Sequence, residues 1–206
     1  GNKEQLIARL KKKLEDKNIH LDTGFVGTPY LCPSLSENGL NEYAYTLLLN
    51  EDFPSWLYEV NMGATTIWER WNSVLEDGYV SDTGMNSMNH YAYGSVVEWM
   101  YRYMCGINPV ESSPGFKKAI IKPMIDERFT WVESEYQSAS GLFKSSWKVE
   151  EDQTTYQITV PFDSQTRFVL TKGGSKITIN GEESKELMEN LEVNLHAGKY
   201  EIKVFK

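Results

Sequence analysis

Asn61-Met-Gly-Ala-Thr-Thr-Ile-Trp-Glu-Arg-Trp71 sets a lone glutamate, Glu69, between Trp68 and Trp71, with Arg70 beside it. Ordinary packing rarely places a carboxylate among large aromatics, because burying an unpaired charge is costly. A sugar site needs that combination: flat apolar walls for ring faces and a carboxylate for proton or water chemistry. Glu69 is therefore the leading candidate for a catalytic group. The other reading of the same residues is a core ion pair between Glu69 and Arg70 or Arg102.

The flanks of this stretch read as helices. Leu40, Tyr43, Ala44, Leu47 and Leu48 recur at helical spacing up to Asn50. Pro54 opens a second helix over 55–62, and Gly63 is its left-handed stop. Glu69 then falls on a connection between helices, where scaffolded functional residues concentrate. Beyond it, 77–87 is a loop, and Ser87 is placed to cap a long helix from Met88 to Cys105, ended by Gly106. Met88, Tyr91, Ala92, Val96 and Trp99 share one face of that helix, while His90, Tyr93, Val97 and Tyr101 share the other. A helix apolar on both faces is predicted to be buried all round, as in the inner layer of a helical barrel. His90 sits in its first turn. Toward the N-terminus, Leu6, Ile7, Leu10 and Leu14 stripe an amphipathic helix over 3–17, and 20–29 reads as a loop or helix entry.

After Pro109 the pattern changes to period two. Short strand-like runs begin near Ala119, Phe129, Gly141, Thr155, Arg167, Lys176, Leu191 and Lys199. Turn signals such as Ala139-Ser-Gly, Lys172-Gly-Gly, Asn180-Gly and His196-Ala-Gly separate them. That spacing predicts an antiparallel sandwich or barrel, with 185–190 as a helical turn or loop. Two domains follow: residues 1–108 helical, and residues 109–206 a β-sandwich.

Composition narrows the partners. Residues 18–106 carry two basic side chains, Arg70 and Arg102, against eleven acids, a formal −9 (2 − 11). Such a field repels nucleic acid and anionic membrane. No apolar run approaches the roughly 18 residues of a transmembrane helix. The opening residues read as a charged helix and not as a signal peptide, so the compartment stays open and any signal is expected upstream. Cys32 and Cys105 lie in apolar surroundings without metal-ligand spacing, and read as buried thiols. No metal or cofactor is expected.

Three runs, Leu21-Asp-Thr-Gly-Phe-Val-Gly-Thr-Pro-Tyr30, Gly63-Ala-Thr-Thr-Ile-Trp-Glu-Arg-Trp71 and Ser87-Met-Asn-His-Tyr-Ala-Tyr-Gly-Ser-Val96, together resemble the inverting bacterial α-L-rhamnosidases. These are six-hairpin glycosidases with an (α/α)6 catalytic barrel followed by a C-terminal β-sandwich. The resemblance covers nearly the whole chain but only the last part of the family's protein. It implies the final helices of the barrel followed by the sandwich, with the upstream part of the same barrel as a partner. It implies Glu69 as general base and His90 as a ligand of rhamnose in a glycoside or polysaccharide. Trp68 or Trp71 would be an apolar wall of the sugar site. The family's general acid lies in an earlier Asp-rich segment with no match here, so this chain alone is expected to be inactive or nearly so. Alternatives are another (α/α)6 glycosidase, glucoamylase-like or a glucuronyl hydrolase, and a non-catalytic carbohydrate-binding or structural module built on the sandwich.

Overall fold

The structure, a computed structural model, describes residues 2–206. The chain forms two compact units, residues 1–99 and 100–206.

The first unit is helical. Helices α1 (Lys3–Glu15), α2 (Thr28–Glu37), α3 (Asn41–Leu49) and α4 (Trp56–Asn61) precede a long irregular stretch. A 3-10 turn, Ala92–Ser95, then leads into α5 (Val96–Trp99). The core sits between α2, α3 and α5, where Leu35, Ala44, Tyr45, Leu47 and Trp99 are all but inaccessible. Trp99 meets Tyr45 edge-on at 5.2 Å and donates its indole N–H to Ser36 Oγ at 2.8 Å. α2 begins at the helix entry read over 20–29. The helix accommodates Pro33 at the loss of one intrahelical donor.

α4 starts where Ser55 Oγ accepts the Tyr58 N–H at 3.0 Å, the usual N-cap bond. Its end is closed by Gly63 at φ +87°, with the Gly63 and Ala64 N–H groups donating to the Val60 and Glu59 carbonyls. In α1 only Leu14 is buried, and Leu6 stays 65% exposed.

The helix expected over 88–105 is shorter and less regular. Residues 87–90 do not join it, because their backbone is bonded to the Glu69 stretch, and Ser87 Oγ spends its capacity on Asn89 instead of capping. The run is also not buried on all sides. Tyr93, Val96 and Trp99 are covered, whereas Tyr91 and Val97 are exposed, because the elements of this unit cover one flank.

The second unit opens with a π-helical turn, Met100–Met104, and is then a two-sheet β-structure. Strands β1 (Ile107–Pro109), β2 (Lys118–Ile121), β6 (Gln165–Val169) and β9 (Glu192–Leu195) form one sheet in the order β1-β2-β6-β9. Strands β3 (Trp131–Ser138), β4 (Gly141–Val149), β5 (Gln153–Val160), β7 (Lys176–Ile179), β8 (Glu182–Glu183) and β10 (Gly198–Phe205) form the other, in the order β3-β4-β5-β10-β7-β8. All pairings are antiparallel except β2 with β6. That pair can be parallel because β3, β4 and β5 in the opposite sheet supply the long crossover it needs.

Alternation along β4 buries Phe143, Ser145 and Trp147, and along β5 it buries Tyr156, Ile158 and Val160. These side chains fill the core with Ile121, Phe168, Ile177 and Ile202. Tyr156 meets Phe168 edge-on at 5.4 Å and links the two sheets. Residues 185–190 are a helix, α6 (Lys185–Asn190), capped by Ser184 Oγ. The Asn180-Gly181 turn between β7 and β8 has both residues at positive φ, as a tight hairpin requires. Cys32 and Cys105 are free and buried, and burial pushes the Cys32 thiol up to about 12.

Candidate active site

The segments carrying the three sequence runs meet in the helical unit. Residues 66–69 and 87–90 run antiparallel and are laced together. Thr66 Oγ1 donates to the Met88 carbonyl, and the His90 N–H donates to the Ile67 carbonyl at 2.8 Å. The Glu69 N–H donates to the Ser87 carbonyl at 2.9 Å, and the Ser87 N–H donates to Glu69 Oε2 at 2.7 Å. Glu69 is half-buried, so one oxygen is pinned and the side chain still reaches solvent.

Arg70 does not pair with its neighbour. Its Nε and Nη2 donate to the Met85 and Gly84 carbonyls at 3.1 and 2.9 Å, which ties down the turn leading to Ser87.

His90 is half-buried beside this lacing. Its Nδ1 accepts the Ala92 N–H at 3.3 Å. A neutral ring bonded this way carries its proton on Nε2, the arrangement that can donate to a hydroxyl. Phe25, from the loop before α2, stacks on the imidazole at 4.7 Å with the planes 14° apart. That loop is braced by Thr28 Oγ1, which bonds Thr23 Oγ1 at 2.8 Å and the Gly24 carbonyl at 2.9 Å. Its contact with His90 was not legible, since 65 residues separate the two rings in sequence.

Both tryptophans are buried, Trp68 to 3% and Trp71 to 8% exposure. Trp71 stacks on Tyr93 at 3.9 Å, meets Trp56 edge-on at 5.4 Å and donates its indole N–H to the Thr23 carbonyl at 3.3 Å. One edge of it borders an open depression of about 640 Å³ with His20, Asp22, Thr23, Phe53 and Pro54. Trp68, Glu69 and His90 do not border that depression.

Behind the Glu69 turn, on α4, lies a second carboxylate. Glu59 of α4 is 1% exposed, and its Oε2 accepts the Trp68 N–H at 3.3 Å. Its Oε1 has no partner among the described residues. Burial raises Glu59 to about 7, against the smaller opposing effect of the Trp68 N–H. A signal for it was present: Glu59 is three residues from Trp56, on the buried stripe of α4.

The structure brings Glu69 and His90 together through the 66–69 and 87–90 lacing, with Phe25 stacked on the imidazole. Comparisons with known proteins give the family. Residues 2–104 match the bacterial α-L-rhamnosidase six-hairpin glycosidase domain, and 106–185 match the bacterial α-L-rhamnosidase C-terminal domain. The chain belongs to the bacterial α-L-rhamnosidases. It is 44% identical over 162 residues to an α-L-rhamnosidase of Alteromonas sp., covering 78% of this chain and 17% of that one. It is 41% identical over 160 residues to one of Formosa agariphila, covering 78% and 17%.

Among solved structures, the Streptomyces avermitilis α-L-rhamnosidase complexed with L-rhamnose superposes with a TM-score of 0.85 at 32% identity, covering 96% of this chain and 19% of that one. The Dictyoglumus thermophilum α-L-rhamnosidase does so at 0.85 and 28%, covering 98% and 23%. This chain therefore spans about a fifth of the rhamnosidases it matches. Its helices are the portion of the six-hairpin barrel that precedes the C-terminal β-sandwich.

Proposed function

We propose that the protein to which this chain contributes hydrolyses terminal α-L-rhamnosyl residues of glycosides or polysaccharides with inversion, and that Glu69 is the general base. The observation that carries the assignment is the Glu69 carboxylate, held by the Ser87 N–H at 2.7 Å yet open to solvent, in the turn laced to His90. In such a reaction a carboxylic acid protonates the departing oxygen while a carboxylate on the other face takes a proton from the attacking water. Glu69 suits the second role: Oε2 is fixed by the backbone, and Oε1 remains to accept from water. The transition state carries positive charge on the sugar, which the surrounding acids of this unit stabilise.

His90 Nε2 donates to a sugar hydroxyl, and the edge of Trp71 forms part of an apolar wall. Trp68, more deeply buried, supports the turn from below. Glu59 is not the general acid, since it is inaccessible and faces the Trp68 backbone. The acid is contributed by an upstream segment of the same barrel, and the chain alone is inactive or nearly so.

The test uses a protein carrying this chain together with the remaining barrel. It should release rhamnose from p-nitrophenyl α-L-rhamnoside, and proton NMR should show the β-anomer first. Hydrolysis of glucosides or unsaturated glucuronides in preference to rhamnosides would overturn the substrate assignment. Comparable turnover by the 206-residue chain alone would overturn the separation of acid from base.

A further inference from the structure

Trp131 stands on the outer face of the six-stranded sheet, 63% exposed, while every other tryptophan of the chain is buried. It begins β3, an edge strand, and pairs in register with Lys148 of β4. The next outward row runs across four strands, Glu133 to Ser146 to Gln157 to Glu201. Together with Lys203 and Gln153 these side chains line an open depression of about 560 Å³.

The sheet's inner face accounts for Trp147, Tyr156 and Ile202, so nothing in the sandwich core requires an indole on the outside. An exposed tryptophan in a polar strand row keeps a large apolar surface in water, and such surfaces mark interaction sites.

Four of the five charged side chains lining this depression are paired, and Glu133 is the fifth. Glu201 accepts from Gln157 Nε2 at 3.0 Å and pairs with Lys203 at 3.1 Å, and Lys148 pairs with Glu150 at 2.8 Å. The face thus carries a single net negative charge, too little to recruit a polycation and the wrong sign for a polyanion, and no continuous apolar strip for a helix or strand of another protein. It offers one flat apolar ring beside amide, hydroxyl and carboxylate groups spaced along a rigid sheet. That complement matches a neutral sugar, whose C–H face stacks on an indole while its hydroxyls both donate and accept.

We propose that the outer face of the sandwich around Trp131 is a second carbohydrate-binding site, taking a neutral oligosaccharide and separate from the Glu69 site. It binds without hydrolysing, and it holds polymeric substrate near the enzyme by raising its effective concentration. The inference rests on the sandwich alone and stands whether or not Glu69 is the base.

The test is a 1H–15N NMR titration of the whole 206-residue chain with a neutral rhamnan oligosaccharide, cellohexaose and xylohexaose in turn. At least one probe should shift the Trp131 indole signal and the amides of Ser146, Gln157 and Glu201, with a Kd of about 1 mM or tighter. Trp131→Ala, which leaves the core intact, should weaken that binding about tenfold or more, and Trp131→Phe should recover part of it. Glu69→Gln should leave it unchanged. The proposal is overturned if none of the probes shifts these signals, if shifts fall only in residues 60–95, or if Trp131→Ala binds as the parent chain does. Concentration-dependent pairing of two copies through β3, without sugar binding, also overturns it.

Discussion

Glu69 and Ser87 exchange two hydrogen bonds, the Glu69 N–H to the Ser87 carbonyl at 2.9 Å and the Ser87 N–H to Glu69 Oε2 at 2.7 Å. Backbone and side chain of the glutamate are thereby fixed by one residue of another segment, and the carboxylate needs no cation to orient it. A base held this way gives up little freedom on reaching the transition state. Glu69→Gln keeps an oxygen for the Ser87 N–H but removes the proton acceptor. In a protein carrying the whole barrel we expect kcat on an aryl rhamnoside to fall about 10²–10⁴-fold. The unfolding midpoint should stay put. A loss of less than about tenfold would remove Glu69 from the role.

His90→Phe separates binding from chemistry. The ring stack on Phe25 survives, while the Nε2 donor and the Nδ1 acceptor for the Ala92 N–H are both lost. We expect KM to rise about fivefold, the worth of one hydrogen bond of roughly 1 kcal/mol. The change in kcat should be smaller. Steady-state kinetics on the same substrate distinguish this from a uniform loss of folded protein, which would lower apparent kcat and leave KM alone.

Glu59 makes stability depend on pH. Its folded value of about 7 lies above the usual glutamate value of 4.5, so the folded chain holds a proton that the unfolded chain has released. The contribution of Glu59 to stability should therefore be greatest below 4.5 and fall as pH rises through the window up to about 7, by about 3 kcal/mol in all. Glu59→Gln keeps an acceptor for the Trp68 N–H and cannot ionise. Urea unfolding across the window should show a slope for the parent chain that the variant lacks, with the variant the more stable at about pH 8. Identical slopes in the two proteins would mean that Glu59 ionises normally.

Gly106 adopts φ +78°, and a Cβ there would sit 2.3 Å from the Lys122 carbonyl carbon and the Pro123 nitrogen. Backbone cannot yield as a flexible side chain does. The strain of a left-handed alanine alone costs about 1–2 kcal/mol. Gly106→Ala should destabilise the β-unit by more than that, and should disturb the Lys122 N–H bond to the Gly106 carbonyl at 2.9 Å. Chemical denaturation followed by Trp147 fluorescence would measure it.

Much of this protein was written in one dimension. Alternation and turn residues after Pro109 determined a sandwich, because strand faces and tight turns depend on neighbours two to four residues away. The spacing in 40–49 determined α3, and the 61–71 run marked Glu69. Tertiary structure decided what depends on distant partners. The predicted helix start at Ser87 gave way because its backbone bonds went to Glu69 and Ile67 instead. Glu59, on the helix leading to the candidate base, became a buried carboxyl because Trp68 folds over it. Trp131 and Trp147 both lie in strand-like runs, yet only Trp147 points inward. Trp131 is out of step with the buried Ser134 and Ser138 of β3, whereas Trp147 is in step with the buried Phe143 and Ser145 of β4, and that phase is set by register across the sheet.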